Sequence, residues 1–357
     1  MTSKVYFIEL ADRTGIETCV QAIRSLFKAS NATSVIDPKD FLAVKVHVGE
    51  KGNVTHIPAD LVAAIVGMAK DAGAIPFLTD TSTLYKGERS NAVNHILHAY
   101  SNGFTIDKTG APFIPADGLA GNTETEVVIN GELHESVHVA REILVTDSIM
   151  VISHCTGHMC AGLGSSIKNL GMGLSSRMGK MRQHSVIQPE VIKRRCTACE
   201  KCMRWCPENA IEQRDGSSFI LAEKCIGCGE CIAVCRFEAI KYDFASESVF
   251  LQKSMAEHAL GCLKDKKGKV FYFNVLLNMT KDCDCMAGVQ KKCIPDIGIL
   301  ASDDPVAIDK AALDLTENEQ GINLARLSYP HLDPMVQLKH AEKMGLGSLE
   351  YEIEHVL

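Results

Sequence analysis

The sequence predicts an α/β protein whose mostly parallel, doubly wound sheet is interrupted by a small, cysteine-rich α+β unit. Three observations predict it. Apolar runs of strand length alternate with segments of helical period through residues 1–188, and the same alternation returns over residues 246–357. Between them, one cysteine pattern occurs twice. Three units follow: a first part of the α/β domain over 1–188, a cysteine-rich unit over 189–245, and a second part over 246–357 that completes the sheet.

The elements follow in order. Residues 4–10 alternate as a strand, and Ile16, Cys19, Val20, Ile23 and Phe27 recur at helical spacing between Gly15 and Ser30. A strand over 42–48 precedes a helix from Pro58 to Gly73, with proline near its start and glycine at its end, and a third strand covers 75–79. Thr125–Ile129, an Asn130-Gly131 turn and the chain from Glu132 read as a hairpin, with His134 and His138 as surface histidines. Residues 148–153 form a buried strand, 249–264 a helix, 269–277 and 297–301 two further strands. Ser302-Asp303-Asp304-Pro305 caps a helix over 306–315, and the tail from 333 gives an amphipathic helix, a glycine break and a strand-like segment.

The repeated pattern is C-x2-C-x2-C-x3-C: Cys196, Cys199, Cys202 and Cys206, then Cys225, Cys228, Cys231 and Cys235. Each run continues into an Ala-Ile pair, Ala210-Ile211 and Ala239-Ile240. This is the spacing that binds 4Fe-4S clusters, and in two-cluster ferredoxins the fourth cysteine of each run ligates the other cluster. One cluster is therefore assigned to Cys196, Cys199, Cys202 and Cys235, and the second to Cys225, Cys228, Cys231 and Cys206. Paired C-x2-C motifs also bind zinc, but four cysteines per run, duplicated, suit two cubanes better than one tetrahedral ion. The second run has Arg236 where the first has Pro207, which removes no ligand.

Of 357 residues, 46% are apolar and 23% charged, the balance of a globular chain with a large core. A net charge of -7 without a long basic run argues against a nucleic-acid partner. Lys193-Arg194-Arg195, just before the first run, would offset cluster charge or steer an acidic redox partner. The first residues lack a secretory pattern and no apolar run is long enough to span a bilayer, so a cytoplasmic location without membrane insertion is expected. In that compartment 15 cysteines point to metal ligation rather than disulfides.

Ligands of such sheets collect where the strands end. Lys45, His47 and Gly49 follow one strand; Thr79-Asp80-Thr81-Ser82 follow another, with Ser82 and Thr83 also read as caps of the next helix. After 148–153 comes a glycine-rich loop, His154 to Gly173, carrying His154, His158, Lys168 and Asn169 but matching no phosphate-binding fingerprint. Asp282-Cys283-Asp284-Cys285 follows the strand at 269–277. Carboxylates and thiols so close repel unless protons or a cation intervene, and a soft or borderline metal is the natural counter-ion. Because both loops follow strands of one sheet, they are expected to face each other across a single cleft.

His154 to Gly173, the His184-Ser185 pair, the double cysteine run and Lys281 to Met286 together resemble a domain-of-unknown-function family of iron–sulphur centre proteins and ferredoxins. The resemblance implies an α/β domain interrupted by a bicluster ferredoxin insert, found mainly in anaerobic bacteria and archaea, with no settled reaction. Thr156 stands where lysine is common in the family, and His47 where many members have asparagine.

These readings converge on an iron–sulphur redox protein whose two 4Fe-4S clusters transfer electrons to or from a substrate or metal cleft in the α/β domain, an oxidoreductase of unstated substrate. Lys45, His154, His158 and Lys168 would supply cationic or proton-donating groups there. Asp282, Cys283, Asp284 and Cys285 would hold an additional metal ion or position a substrate, and the partner would be a redox protein or a small molecule. Two alternatives use the same residues: a non-enzymatic electron carrier, and a metallocluster assembly or carrier protein suggested by the seven cysteines outside the runs, Cys19, Cys155, Cys160, Cys262, Cys283, Cys285 and Cys293.

Overall fold

A computed structural model describes residues 2–85, 87–184, 189–225, 230–237, 239–241 and 248–357. Cys228 and Ser185 lie outside the described residues. The chain begins with β1 (Ser3–Glu9), α1 (Ile16–Ala29), β2 (Phe41–Val46), α2 (Ala59–Asp71), β3 (Ile75–Thr79), α3 (Ala92–Ser101) and α4 (Ile106–Thr109). Next come β4 (Glu124–Val128), β5 (Ser136–Ala140), α5 (Arg141–Val145), β6 (Ser148–His154), β7 (Thr156–His158), β8 (Gly162–Gly164), α6 (Ser166–Gly171) and α7 (Arg177–Gln183). The cysteine-rich segment supplies β9 (Glu190–Val191), α8 (Lys201–Arg204), β10 (Ile211–Arg214), β11 (Ser217–Ile220), α9 (Glu230–Val234) and β12 (Ile240–Lys241). The chain closes with α10 (Ser248–Cys262), β13 (Val270–Leu276), β14 (Gly298–Ser302), α11 (Pro305–Gln320), α12 (Leu324–Ser328), α13 (Met335–Lys343) and β15 (Tyr351–His355).

The central sheet has seven strands in the order β15-β1-β14-β13-β6-β2-β3. It is mostly parallel: β14 alone runs against its neighbours, pairing antiparallel with both β13 and β1. No described helix separates β13 from β14, so the chain returns directly alongside and reverses, as a strand without a crossover must. The C-terminal strands β13, β14 and β15 thus share one sheet with β1, β2, β3 and β6.

Strands at the sheet centre read as unbroken apolar runs because both faces are covered. In β6, Ile149 and Val151 face one core with α6, α10, α11 and α13, while Met150 and Ile152 face the other, under α1 and α2. β13 divides in the same way, Tyr272 to the first core and Phe271 and Phe273 to the second, following the two-residue period of a strand. The edge strand β15 carries exposed and half-buried residues only.

Three expectations need correction. The hairpin forms, but its turn spans 129–135 rather than two residues, because the buried carboxylate of Glu257 accepts from the backbone N–H groups of Glu132, Leu133 and His134. His138 is buried on β5, 2.8 Å from Glu124, so it is not a surface histidine, and the half-buried His134 packs edge-on against His258. Ser82 and Thr83 cap nothing: the next helix begins at Ala92, and its cap is Asn91, whose side chain accepts from Asn94 N–H. The cap at Asp304 forms, its carboxylate accepting from Val306 and Ala307 at 2.8 and 2.9 Å. Among the described residues no helix is long and apolar enough to cross a membrane.

Candidate functional site

β2, β3, β6 and β13 run in the same direction, so the residues following them gather at one edge of the sheet. There Lys45, fully buried in β2, places Nζ 3.0 Å from Asp80 Oδ1 and donates to Asn169 Oδ1 at 2.6 Å. The absence of a side chain at Gly173 makes room for it, since a Cβ there would come within 2.8 Å of Lys45 Nζ. Asp80 also meets Arg89, whose Nη1 lies 3.4 Å from Oδ2. Arg89 binds Glu50 at 3.2 Å and donates to the Tyr85 hydroxyl at 2.6 Å, which donates to the carbonyl of Cys285 at 3.0 Å. Lys180 of α7 donates to Thr81 Oγ1 and the Ser82 carbonyl at 2.5 Å each.

These buried charges set one another's ionisation. Burial alone would raise Asp80, but Lys45, His47, His95 and Arg89 hold its carboxyl far below the usual range. Burial lowers Lys180 to about 8 against the opposing pull of Asp117 and Asp80, and lowers Lys168 to about 8 with help from Arg89 and Lys45. Asp117, which accepts from Ser82 N–H at 2.8 Å, is pushed up to about 6 by burial.

The second half of the site joins the two loops that follow β6 and β13. Gly157 N–H donates to the Thr280 carbonyl at 2.9 Å, and a Cβ at Gly157 would collide with the Lys281 carbonyl and the Ser328 hydroxyl. His154 Nδ1 lies 2.9 Å from Asp284 Oδ2, and Asn53 donates to the other oxygen at 3.3 Å. Lys168 Nζ is 3.6 Å from Cys283 Sγ. Cys283 and Cys285 are joined by a disulfide, and one ring nitrogen of His158 lies within 4.8 Å of both sulphurs. His158, Cys283 and Cys285 could hold a metal ion.

The structure brings Lys45, His154, His158, Lys168, Cys283, Asp284 and Cys285 to one edge, but not into one constellation. Lys45 belongs to the Asp80 network, which meets the second half through Asn169 and Tyr85. The carboxylates of the Asp-Cys-Asp-Cys stretch turn away from its sulphurs, Asp284 to His154 and Asp282 to the Tyr329 hydroxyl. Arg89, Tyr85, Glu50, Asn53, Asp117 and Lys180 went unread in the sequence. The Asn-x-x-x-x-Pro and Arg-Ser segments that carry Asn53 and Arg89 have no local pattern that marks them.

The cysteine-rich segment forms a separate site. Cys196, Cys199, Cys202 and Cys235 line one cavity, together with Val191, Phe237 and Ile240. Cys206 Sγ accepts from Ala210 N–H at 3.2 Å and Cys235 Sγ from Ala239 N–H at 3.3 Å, the same contact four residues on in each run. Cys196 Sγ accepts from Ser218 N–H at 3.3 Å, and Ser218 Oγ is 3.4 Å from Cys202 Sγ. Cys206 and Cys225 form no disulfide, and Cys202 and Cys231 share an apolar cluster with Ile211 and Ile240. α9, which carries Cys231, packs on α7, which carries Lys180.

No curated protein matches the chain. Among solved structures it is similar to a Thermotoga maritima protein, with a TM-score of 0.41 and 11% identity over 81% of this chain and 56% of that one. It is also similar to the lactate racemase apoprotein from Thermoanaerobacterium thermosaccharolyticum, with a TM-score of 0.38 and 10% identity over 81% and 54%. The chain spans little more than half the length of either. A family model matches residues 42–314, most of the chain, and the protein therefore belongs to the family described as Domain of unknown function (DUF362).

Proposed function

We propose that the protein is an iron–sulphur redox protein: residues 189–245 form a bicluster insert in an α/β domain built from 1–188 and 246–357, and electrons pass between the insert and the polar cleft. The observation that carries this reading is the single cavity lined by Cys196, Cys199, Cys202 and Cys235. Three thiols from one run and the fourth from the other make the crossed ligand set of a two-cluster ferredoxin. The second set is Cys225, Cys228, Cys231 and Cys206, of which Cys228 lies outside the described residues. Thiol softness favours iron–sulphur chemistry, and the repeated N–H contacts to Cys206 and Cys235 supply hydrogen bonds suited to ionised sulphur.

When bound, such clusters give and take single electrons. The chain's own groups would do the rest. The exposed Lys193-Arg194-Arg195 stretch favours an acidic redox partner at the insert. Electrons would leave the insert where α9, which carries Cys231, packs on α7, whose Lys180 donates to Thr81 beside Asp80. In the cleft, Lys45, Lys168, His154 and His158 orient or protonate whatever is reduced there, and the Cys283 to Cys285 turn closes its other side.

Iron and acid-labile sulphide analysis of anaerobically purified protein tests the reading, with about eight of each expected per chain. One or two zinc ions without iron would overturn it. Cys206→Ser is expected to perturb the cluster whose other ligands are Cys225, Cys228 and Cys231, leaving in place the EPR signal of the cluster at Cys196, Cys199, Cys202 and Cys235.

A further inference from the structure

We infer that Cys283 and Cys285 form a reversible two-electron dithiol–disulfide couple at the edge of the cleft, in which Cys285 exchanges with an external thiol and Cys283 is the leaving sulphur. The inference requires no cluster and stands apart from the iron–sulphur reading.

The bond joins cysteines separated by 2 in sequence. Closing so short a loop removes little entropy from the unfolded chain, so the disulfide is a poor structural staple. The turn is also held without it. Met286 N–H donates to the Cys283 carbonyl at 2.9 Å, Gln290 Nε2 to the same oxygen at 3.0 Å, and the Tyr85 hydroxyl to the Cys285 carbonyl at 3.0 Å.

The two sulphurs have unequal surroundings. Cys283 is 6% exposed, with Lys168 Nζ 3.6 Å from its Sγ, whereas Cys285 is half-buried and reachable. An ammonium beside a sulphur favours its thiolate, and thiol exchange is fastest when the departing sulphur leaves as a stabilised thiolate. An external thiolate attacks Cys285 Sγ and forms a mixed disulfide as the Cys283–Cys285 bond breaks. The bonding pair goes to Cys283 Sγ beside Lys168. A second thiol then displaces Cys285, and two protons complete the dithiol: one protein disulfide and two thiols become one protein dithiol and one external disulfide.

The local geometry favours this chemistry over a metal in the oxidised state. His158 Nδ1 accepts from the N–H groups of Cys160 and Ala161 at 3.3 and 3.1 Å, so in the neutral ring the proton sits on Nε2. Neither ring nitrogen then offers a free lone pair, and two bonded sulphurs carry no thiolate charge.

The test is a redox titration of the full-length protein against reduced and oxidised glutathione, quenched with acid, alkylated and digested with trypsin. The peptide from Asp282 to Lys291 contains Cys283 and Cys285 and no other cysteine. Conversion between unalkylated and doubly alkylated peptide at one midpoint with a two-electron slope is expected. Lys168→Gln should slow reduction about tenfold through lost thiolate stabilisation. A peptide doubly alkylated at every potential, or one alkylated only after a chelator is added, overturns the inference; an unchanged rate in Lys168→Gln overturns the assignment of Cys283 as leaving sulphur.

Discussion

His154 and Asp284, 130 residues apart in sequence, meet in the interior with Nδ1 and Oδ2 2.9 Å apart. The other ring nitrogen of His154 lies 2.9 Å from the Leu277 carbonyl, which can only accept, so both neighbours of the ring favour its protonated form. Burial opposes that charge, yet Asp284 raises His154 above the ordinary histidine range, and despite burial His154 holds Asp284 below the ordinary carboxylate range. The ion pair ties the end of β6 to the loop after β13.

This pair predicts a pH dependence. A histidine whose folded pKa is raised contributes fully below its unfolded pKa, and the contribution is lost as pH rises through the folded value. For Asp284, lowered in the fold, the contribution is present above the unfolded pKa and lost as pH falls through the folded one. The pair should therefore stabilise most between those limits. Asp284→Ala is expected to cost about 3–5 kcal/mol near neutrality, the penalty for a buried unpaired charge. Urea unfolding across pH checks this, and a variant with the wild-type profile would contradict it.

Gly157→Ala should be destabilising out of proportion to one methyl group. The added Cβ meets the Lys281 carbonyl and the Ser328 hydroxyl, and the carbonyl belongs to backbone that cannot rotate away. A loss of about 1–3 kcal/mol from overpacking is expected, together with faster hydrogen exchange at Gly157 N–H, which now bonds Thr280. Unchanged exchange at that amide would mean the loops separate without it.

Asp117 gives the opposite pH signature to Asp284. Burial raises it to about 6, so the folded state binds its proton more tightly than the unfolded chain does. Its penalty grows as pH rises from the ordinary carboxylate range to about 6 and is complete above that. Asp117→Asn keeps an oxygen to accept from Ser82 N–H, and should raise stability above pH 6 by about 1–2 kcal/mol while flattening that part of the profile. Thermal unfolding at pH 4.5 and 7.5 distinguishes this from a uniform shift.

Ser218 touches two of the cavity-lining thiols, donating its N–H to Cys196 and placing Oγ 3.4 Å from Cys202. Hydrogen bonds to sulphur set the potential of an iron–sulphur site. Ser218→Ala removes the hydroxyl and keeps the N–H, so the midpoint potential of the proposed cluster at Cys196, Cys199, Cys202 and Cys235 should fall while its iron content holds. Protein-film voltammetry reads the shift, and no shift would place the Ser218 hydroxyl outside the site.

Much of the architecture was legible in the chain, because local chemistry writes it there. The unbroken apolar runs of β6 and β13, the Pro58 and Gly73 boundaries of α2, the Asp304-Pro305 cap and the doubled cysteine spacing each depend on residues a few positions apart. What the tertiary structure decided rests on contacts between distant segments. The reversal of β14 follows from which strand it lies beside. The length of the hairpin turn follows from Glu257, and the burial of His138 from Glu124 and the surrounding core. The partition of Asp-Cys-Asp-Cys into an ion pair with His154, a disulfide beside Lys168 and a contact to Tyr329 follows the same rule. A carboxylate or thiol in sequence has only its type and spacing; its charge, partner and exposure are set by the groups that folding brings against it, and at this sheet edge those came from residues as far apart as Lys45 and Tyr329.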